Sequence, residues 1–369
     1  MRPPKLFTPI QLGGTTLPNR IVVSPMCQYS ADDGSMTDWH LVHLGSLACS
    51  GAGMIVVEKT AVTREGRITH GCTGMYSEHN EAAMKRIIDA CRRITKNPFA
   101  LQLGHSGRKG SANVPWVGVQ ALKPDESPWQ TVAPSPLSQG EGWPAPKELS
   151  INELHQLVEA YVSATVRARR IGFDAVELHS AHGYFLHQFL SPLSNQRGDA
   201  YGKDRMKFPL EVAAAVREAW PKERALGARI TGSDWAEGGI VPEDAVAYAR
   251  ELKRIGFDYL CVSSGGLPQA RIRVEPNYQV PFAAAVKKAV SIPVRAVGMI
   301  ADPDQAADIV ESGRADMVAM ARAFLDNPRW VWHAAERMGV KLDYPPQYAR
   351  SRGDVWPGAK LVREPRSVL

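Results

Sequence analysis

In the stretch ELHSAHGYFLHQFLSP (177–192), His179, His182 and Tyr184 fall within six positions, directly after a run that reads as a β-strand. Two imidazoles and a phenol so close together suit three kinds of chemistry. They can ligate a metal, satisfy one another in a core, or aim two hydrogen-bond donors at one oxygen with a proton donor beside it. A metal site needs further Cys, His or carboxylate groups at ligand spacing, and none recurs, so no metal is expected. The oxygen clamp is favoured because matching groups occur elsewhere in the chain.

Arg229, inside ARITGSD, is flanked by apolar residues and should point inward. An unpaired cation is costly there, so it needs an anionic partner from the protein or from a cofactor. Gln102 both donates and accepts, which suits the edge of a heterocycle as well as a self-satisfied buried amide. Arg322 has the planar fork that grips phosphate oxygens two at a time, or else forms a salt bridge on the rim. Cys27 is either a covalent nucleophile or a thiol set against a redox-active ring. GHSGR (104–108) approaches a hydrolase elbow, but G-x-S-x-G requires glycine at 108, where Arg108 stands.

These residues must be positioned by something, and the chain shows a repeating scheme. Eight apolar or β-branched runs each end in polar or glycine residues: 19–27, 53–61, 99–107, 173–183, 226–234, 257–266, 292–300 and 315–324. Segments of helical periodicity lie between them, among them 80–94, 151–172, 242–256 and 302–313. Several open on Asn, Asp or Pro and close on Gly. Eight strands alternating with helices predict a (β/α)8 TIM barrel of class α/β, ahead of a doubly wound open sheet. No G-x-G-x-x-G follows the first strand, which weakens the dinucleotide-fold alternative.

A barrel of this kind carries its site at the C-terminal strand ends. Here those ends supply Cys27, Glu58, Lys59, Gln102, His105, His179, His182, Arg229, Ser263, Ser264, Gly298 and Arg322. Polar groups at so many ends predict a large polar ligand across the mouth, its phosphate near Gly298 and Arg322. The Pro- and Trp-rich stretch from Ser111 to Lys147 is too long for an ordinary connection and is expected to pass over the upper face. One domain (1–343) is expected, followed by an irregular tail (344–369) able to cross to another subunit.

Bulk composition fits. The chain has 369 residues, 44% of them hydrophobic and 22% charged, and no apolar run nears the roughly 20 residues of a membrane span. The N-terminal segment lacks a signal-peptide pattern, so a cytoplasmic enzyme is expected, with no membrane association. Net charge is +6, but the Lys and Arg residues are scattered, which reads as solvated surface rather than a nucleic-acid face. Five cysteines (Cys27, Cys49, Cys72, Cys91, Cys261), with no C-x-x-C pair, argue against a disulfide framework, zinc or an iron–sulfur cluster. At least one is expected to be a working thiol.

The residues resemble a known family. LFTPIQLGGTTLPNRIVVSPMCQYSADDG (6–34), DWHLVHLGSLACSGAGMIVVEKTAVTREGRITH (38–70), LQLGHSGRKGSANVPW (101–116), GFDAVELHSAHGYFLHQFLSPLSNQRGDAYG (172–202), VSSGG (262–266), YQVPFA (278–283), AVGMI (296–300) and RADMVAMARAFLDNPRW (314–330) are similar to the Old Yellow Enzyme family of FMN-dependent ene-reductases, in its thermophilic-like, xenobiotic reductase subgroup. The likeness covers almost the whole chain in order.

It implies an NAD(P)H-dependent reductase of activated alkenes, α,β-unsaturated carbonyl and by extension nitro compounds, working as a homodimer or homotetramer. FMN would lie across the mouth, with Ser24, Pro25, Met26 and Cys27 along the isoalloxazine and the Cys27 thiol tuning its potential. Gln102 would meet the pyrimidine edge, Arg229 would neutralise charge near N1 and O2, and Gly298, Ala321 and Arg322 would hold the phosphate. His179 and His182 would bind the substrate oxygen, Tyr29 would help close the pocket, and Tyr184 would protonate carbon opposite the hydride from N5. Arg350 would reach a neighbouring subunit's site.

The chain departs from the family pattern in four places. Lys59 stands where a small residue is usual, so it either narrows the pocket or swings to Glu58. Ala321 replaces a frequent glycine. The segment after Tyr201 is shortened to GKDRMKF, and the tail around Trp356 matches poorly. Two rivals follow: a flavin-binding barrel with little turnover because Lys59 blocks the pocket, and a tRNA dihydrouridine synthase-like reductase. The second needs an extra helical domain, for which too little chain follows residue 330.

Overall fold

A computed structural model describes residues 3–363. Eight strands close into a parallel barrel in chain order: β1 (Ile21–Val23), β2 (Met54–Ala61), β3 (Phe99–Gly104), β4 (Ala175–Ser180), β5 (Ala225–Thr231), β6 (Tyr259–Ser263), β7 (Val294–Val297) and β8 (Met317–Met320), with β8 pairing back to β1. The chain is a (β/α)8 barrel; seven of the eight expected runs contain a strand whole, and β5 starts one residue before the fifth.

Strand alternation sorts the side chains into two layers. Val176, Leu178, Leu101, Leu103, Ala228 and Val262 face outward into the core shared with the helices. A second cluster fills the barrel interior, among it Val22, Val56, Ala100, Tyr259 and Met317. Leu12 and Leu17 join this inner cluster from the N-terminal hairpin (Ile10–Leu12 with Thr15–Leu17), which ties the hairpin to the interior.

The helices follow physical start and stop signals. α1 (Asp38–Ala48) and α2 (Glu78–Arg92) precede α3 (Ile151–Ile171), which opens on a Ser150–Glu153 capping box and closes on left-handed Gly172. α4 (Lys207–Ala219), α5 (Pro242–Ile255), α6 (Val280–Ala289), α7 (Pro303–Glu311) and α8 (Trp330–Arg337) complete the ring. α2 begins two residues earlier than its periodicity predicts, because the Ser77 hydroxyl accepts the Asn80 N–H. No helix among the described residues is long and apolar enough to cross a membrane.

The long segment after β3 forms short 3-10 turns and a two-residue strand pairing (Val132–Ala133 with Lys147–Glu148). It docks on the loop after β2: Trp129 donates to the Glu65 carbonyl, and Arg67 lies over the Trp129 ring. The tail from Tyr344 to Arg363 folds back on its own chain. Tyr344 stacks on Trp332, and Glu336 of α8 accepts from the Tyr344 hydroxyl and the Gly353 N–H and pairs with Arg363. Residues 364–369, the end of the expected crossing segment, lie outside the described residues.

Candidate active site

Register fixes the first partners. His179 on β4 lies opposite Arg229 on β5, and Thr231 opposite Ser263 on β6. The two rings His179 and His182 meet edge to face, with His179 Nε2 and His182 Nδ1 3.3 Å apart. Tyr184 stands edge-on to His179, ring centroids 5.0 Å apart. His179, His182 and Tyr184 therefore form one cluster at the strand ends.

Hydrogen bonds assign the tautomers. His179 Nδ1 accepts the Ala181 N–H, so its Nε2 carries the proton and aims at His182. His182 Nε2 lies 2.6 Å from Ser263 Oγ, which can either accept from it or donate to it. Burial and the Arg229 guanidinium hold both imidazoles well below the usual histidine range, so both are neutral. When Ser263 donates, His182 carries its proton on Nδ1, and two N–H groups then face one point. Gln279 Oε1, the other acceptor for the Ser263 hydroxyl, keeps a bond from Ser264.

The HGY turn is strained and heavily braced. His182 has φ +60°, unusual for a residue with a side chain. Its backbone is pressed against Gly266, where a Cβ would come within 2.1 Å of the His182 carbonyl carbon. Lys109 Nζ staples the two loops, donating to the carbonyls of His182 (2.8 Å) and Gly266 (3.0 Å). From beneath, the Gly183 N–H donates to His187 Nδ1, and His187 Nε2 donates to the buried Asp234. Lys109 also lies 5.1 Å from the Tyr184 ring centroid. Burial pushes the Tyr184 phenol well above its usual value, so it stays protonated.

Around this cluster the barrel offers groups without partners. Arg229 is buried, and among the described residues no carboxylate pairs with it; it reaches Ser263 at 3.3 Å while its Nε is unbonded. Ser24 Oγ, also buried, has no partner. Gln102 donates its Nε2 proton to Glu177, itself held by Arg295 and Tyr259, so its Oε1 is left to accept from a ligand. An open cleft of about 340 Å³ extends from His182 and Arg229 past Ser263, Gly298 and Ala321 to Arg322. A Cβ at Gly298 (φ +106°) would collide with the Gln279 side chain at 2.1 Å. Arg322 is exposed on the rim and has no salt-bridge partner among the described residues. A buried cation without its anion, an unbonded hydroxyl and a cleft ending at a second free arginine fit a large anionic ligand with a heterocycle at one end.

Lys59 neither pairs with Glu58 nor lines this cleft. Its stem runs along Gly104, its Nζ donates to the Gly66 carbonyl at 2.7 Å, and Glu58 is held by His40 and the Gln28 N–H. Arg350 is exposed on the 3-10 turn Pro346–Ser351 and belongs to neither the cleft nor the histidine cluster. Ser24, Pro25, Met26 and Cys27 follow β1 directly, and Tyr29 (φ +51°) stands edge-on to Trp116 of the long loop. Sequence reasoning missed Lys109, Gln279, His187 and Asp234. None has a role marked by its surroundings: Lys109 directly follows GHSGR, His187 and Gln279 lie in the family-like stretches 172–202 and 278–283, and Asp234 ends ARITGSD.

Residues 5–340 match the NADH:flavin oxidoreductase / NADH oxidase family. The chain is 39% identical over 350 residues to an NADPH dehydrogenase of Geobacillus thermodenitrificans, covering 94% of this chain and 98% of that protein. It is 38% identical over 354 residues to an NADPH dehydrogenase of Clostridium acetobutylicum, covering 94% and 99%. Among solved structures, morphinone reductase superposes with a TM-score of 0.77 at 29% identity, covering 94% of this chain and 93% of that one. The same enzyme in complex with tetrahydroNAD gives 0.74 at 29% identity, covering 93% of each.

Proposed function

The chain belongs to the NADH:flavin oxidoreductase / NADH oxidase family, the Old Yellow Enzyme group, and is an FMN-dependent NAD(P)H oxidoreductase; from that premise we propose that it reduces the activated C=C bond of α,β-unsaturated carbonyl compounds. The observation that carries this reading is the convergence of His179 Nε2 and His182 Nδ1, 3.3 Å apart, beside the Tyr184 phenol.

FMN would be held by Ser24 through Cys27 on one edge, by Gln102 Oε1 and Arg229 at the heterocycle, and by Gly298, Ala321 and Arg322 at the phosphate. When bound, FMN supplies the redox chemistry, two electrons as hydride taken from NAD(P)H and delivered to the alkene. The protein's own residues do the rest. With Ser263 donating to His182 Nε2, both imidazole N–H groups bond the substrate's carbonyl oxygen and draw electron density from the alkene, which makes its β-carbon electrophilic. Because both rings are neutral, they polarise that oxygen without surrendering a proton to it. Tyr184 keeps its proton at neutral pH and gives it to the α-carbon. Lys109 and Asp234 hold the turn that sets these three groups.

Isotope labelling tests the reading. With NADPH carrying deuterium at the transferred position and 2-cyclohexenone as substrate, label belongs at the β-carbon of cyclohexanone. In deuterated water with ordinary NADPH it belongs at the α-carbon. Allylic alcohol as the product, or NADPH consumption with no organic product, would sink the proposal.

A further inference from the structure

Beside the histidine cluster lies a second group of reactive side chains, which carries neither the hydride nor the proton of the reduction. Cys27, four residues past β1, packs against the buried cluster of Cys72, Ile68 and Ala112. Cys72 is fully buried, whereas Cys27 is half-buried. The Thr69 N–H points at Cys72 Sγ from 3.4 Å and its hydroxyl lies 3.6 Å away. Lys59, whose Nζ is anchored on the Gly66 carbonyl of the same loop, places its charge beside both sulfurs.

The two loops that carry the thiols are tied to each other, so their closeness does not depend on flexible segments. The Ala31 N–H donates to the Gly71 carbonyl (2.8 Å) and the Gly74 N–H to the Gly34 carbonyl (2.9 Å). Arg67 bonds Asp33 at 3.0 Å, and a Cβ at Gly71 would strike the Tyr29 carbonyl oxygen at 2.3 Å.

We propose that Cys27 and Cys72 are a reversible oxidation site, closing to a disulfide when peroxide reaches the mouth. The charge pattern supports it. The neighbouring Cys72, added to burial, pushes the Cys27 thiol well up. Cys72, which burial alone would raise, is brought down to about 5 by Cys27, the Lys59 ammonium and the Thr69 donors. These donors and this charge favour a thiolate within the pair, the form in which a sulfur attacks peroxide.

Cys27 is the half-buried sulfur. As the Cys72 thiolate takes its proton, it attacks one oxygen of peroxide: an S–O bond forms, the O–O bond breaks and hydroxide leaves. That hydroxide takes the proton back from Cys72. The Cys72 thiolate then attacks the Cys27 sulfenyl sulfur, forming S–S and expelling a second hydroxide. Two electrons leave the sulfurs and one peroxide is reduced; from a thiol and a thiolate the products are a disulfide, one water and one hydroxide. Hydrogen peroxide is also what a reduced flavin yields when dioxygen takes its electrons, so the oxidant arises at this site. The inference needs the oxidoreductase but not the alkene reaction.

The test is mass mapping of the FMN-loaded enzyme after titration with hydrogen peroxide. The expected result is loss of two of the five thiols, a linked peptide pair containing Cys27 and Cys72 that is lighter by two hydrogens, and recovery of both thiols with dithiothreitol. Cys72→Ser should give no link and leave Cys27 as a sulfenic acid trapped by dimedone. The proposal is overturned if the wild-type enzyme links Cys49 to Cys91 instead, or accumulates trapped Cys27 sulfenic acid without a link. Because the wild-type mapping decides alone, poor folding of the variant would not rescue the idea.

Discussion

Removing one oxygen atom, in Tyr184→Phe, separates a proton donor from a structural ring. Among the described residues the Tyr184 hydroxyl has no hydrogen-bond partner, so its loss breaks no bond within the protein. The ring keeps its edge contact with His179 and its cations, Lys109 at 5.1 Å and Lys59 at 5.7 Å from the centroid. Unfolding free energy should therefore change by no more than about 0.5 kcal/mol, as for a substitution that disturbs no core packing. A positioned general acid contributes about 10²–10⁴ in rate, or about 3–5 kcal/mol of barrier. Anaerobic stopped-flow resolves the two half-reactions. Flavin bleaching by NADPH should proceed at nearly the wild-type rate, and reoxidation by 2-cyclohexenone should slow by two to four orders of magnitude. In the wild type that second step should show no dependence on Tyr184 ionisation from pH 6 to 9, since burial keeps the phenol protonated. If both half-reactions slow equally, or if stability falls by several kcal/mol, Tyr184 is a structural residue and the assignment fails.

Three further outcomes follow from the same geometry. His179→Ala removes one of two N–H donors to a bound oxygen; a phenol that stacks on the flavin should bind about 10-fold more weakly or worse, at about 1.5–3 kcal/mol for a bond to a charged group, and unchanged affinity in a phenol titration would refute the clamp. Lys109 is lowered by burial from near 10.5 to about 8. The unfolded chain therefore binds that proton more tightly, and wild-type stability should rise between pH 8 and 10.5 by at most about 3 kcal/mol. Lys109→Met should lack that part of the rise in denaturant melts, and parallel pH profiles would show that Lys109 is not the group. Asp234 is a different case: burial alone would raise its carboxyl, but bonds from His187, Ser191 and the Ile240 N–H bring it below the usual range. Its stabilisation is present above its ordinary value near 3.8 and fades as pH falls through the lower folded value; Asp234→Asn should destabilise by about 2–4 kcal/mol at pH 7, and a loss under 1 kcal/mol would remove it as the brace of the HGY turn.

Much of the barrel was legible because its strands are buried on both faces and read as unbroken apolar runs. α1 was harder, since Trp39 and Val42 are exposed while His40 is buried, so no one-sided apolar stripe marks it. α4 carries Pro209 and has no side-chain cap. At the site, HSAHGY declared itself because its three groups are neighbours in sequence. The support did not: Lys109 bonds carbonyls 73 and 157 residues away, and His187 meets Asp234 across 47. Lys59 shows the opposite limit. Its position was evident, but the choice of the Gly66 carbonyl over Glu58 depended on His40 having already taken the carboxylate.

The central claim is that His179, His182 and Tyr184 make an activated alkene the acceptor of the flavin's electrons. The direct measurement is to reduce the FMN-loaded enzyme with one equivalent of NADPH without oxygen, mix it with 2-cyclohexenone, and follow the flavin absorbance. Prompt return of the oxidised spectrum, with one equivalent of cyclohexanone formed, is the predicted result. A flavin that stays bleached in the presence of the enone, yet reoxidises when air is admitted, would contradict the account.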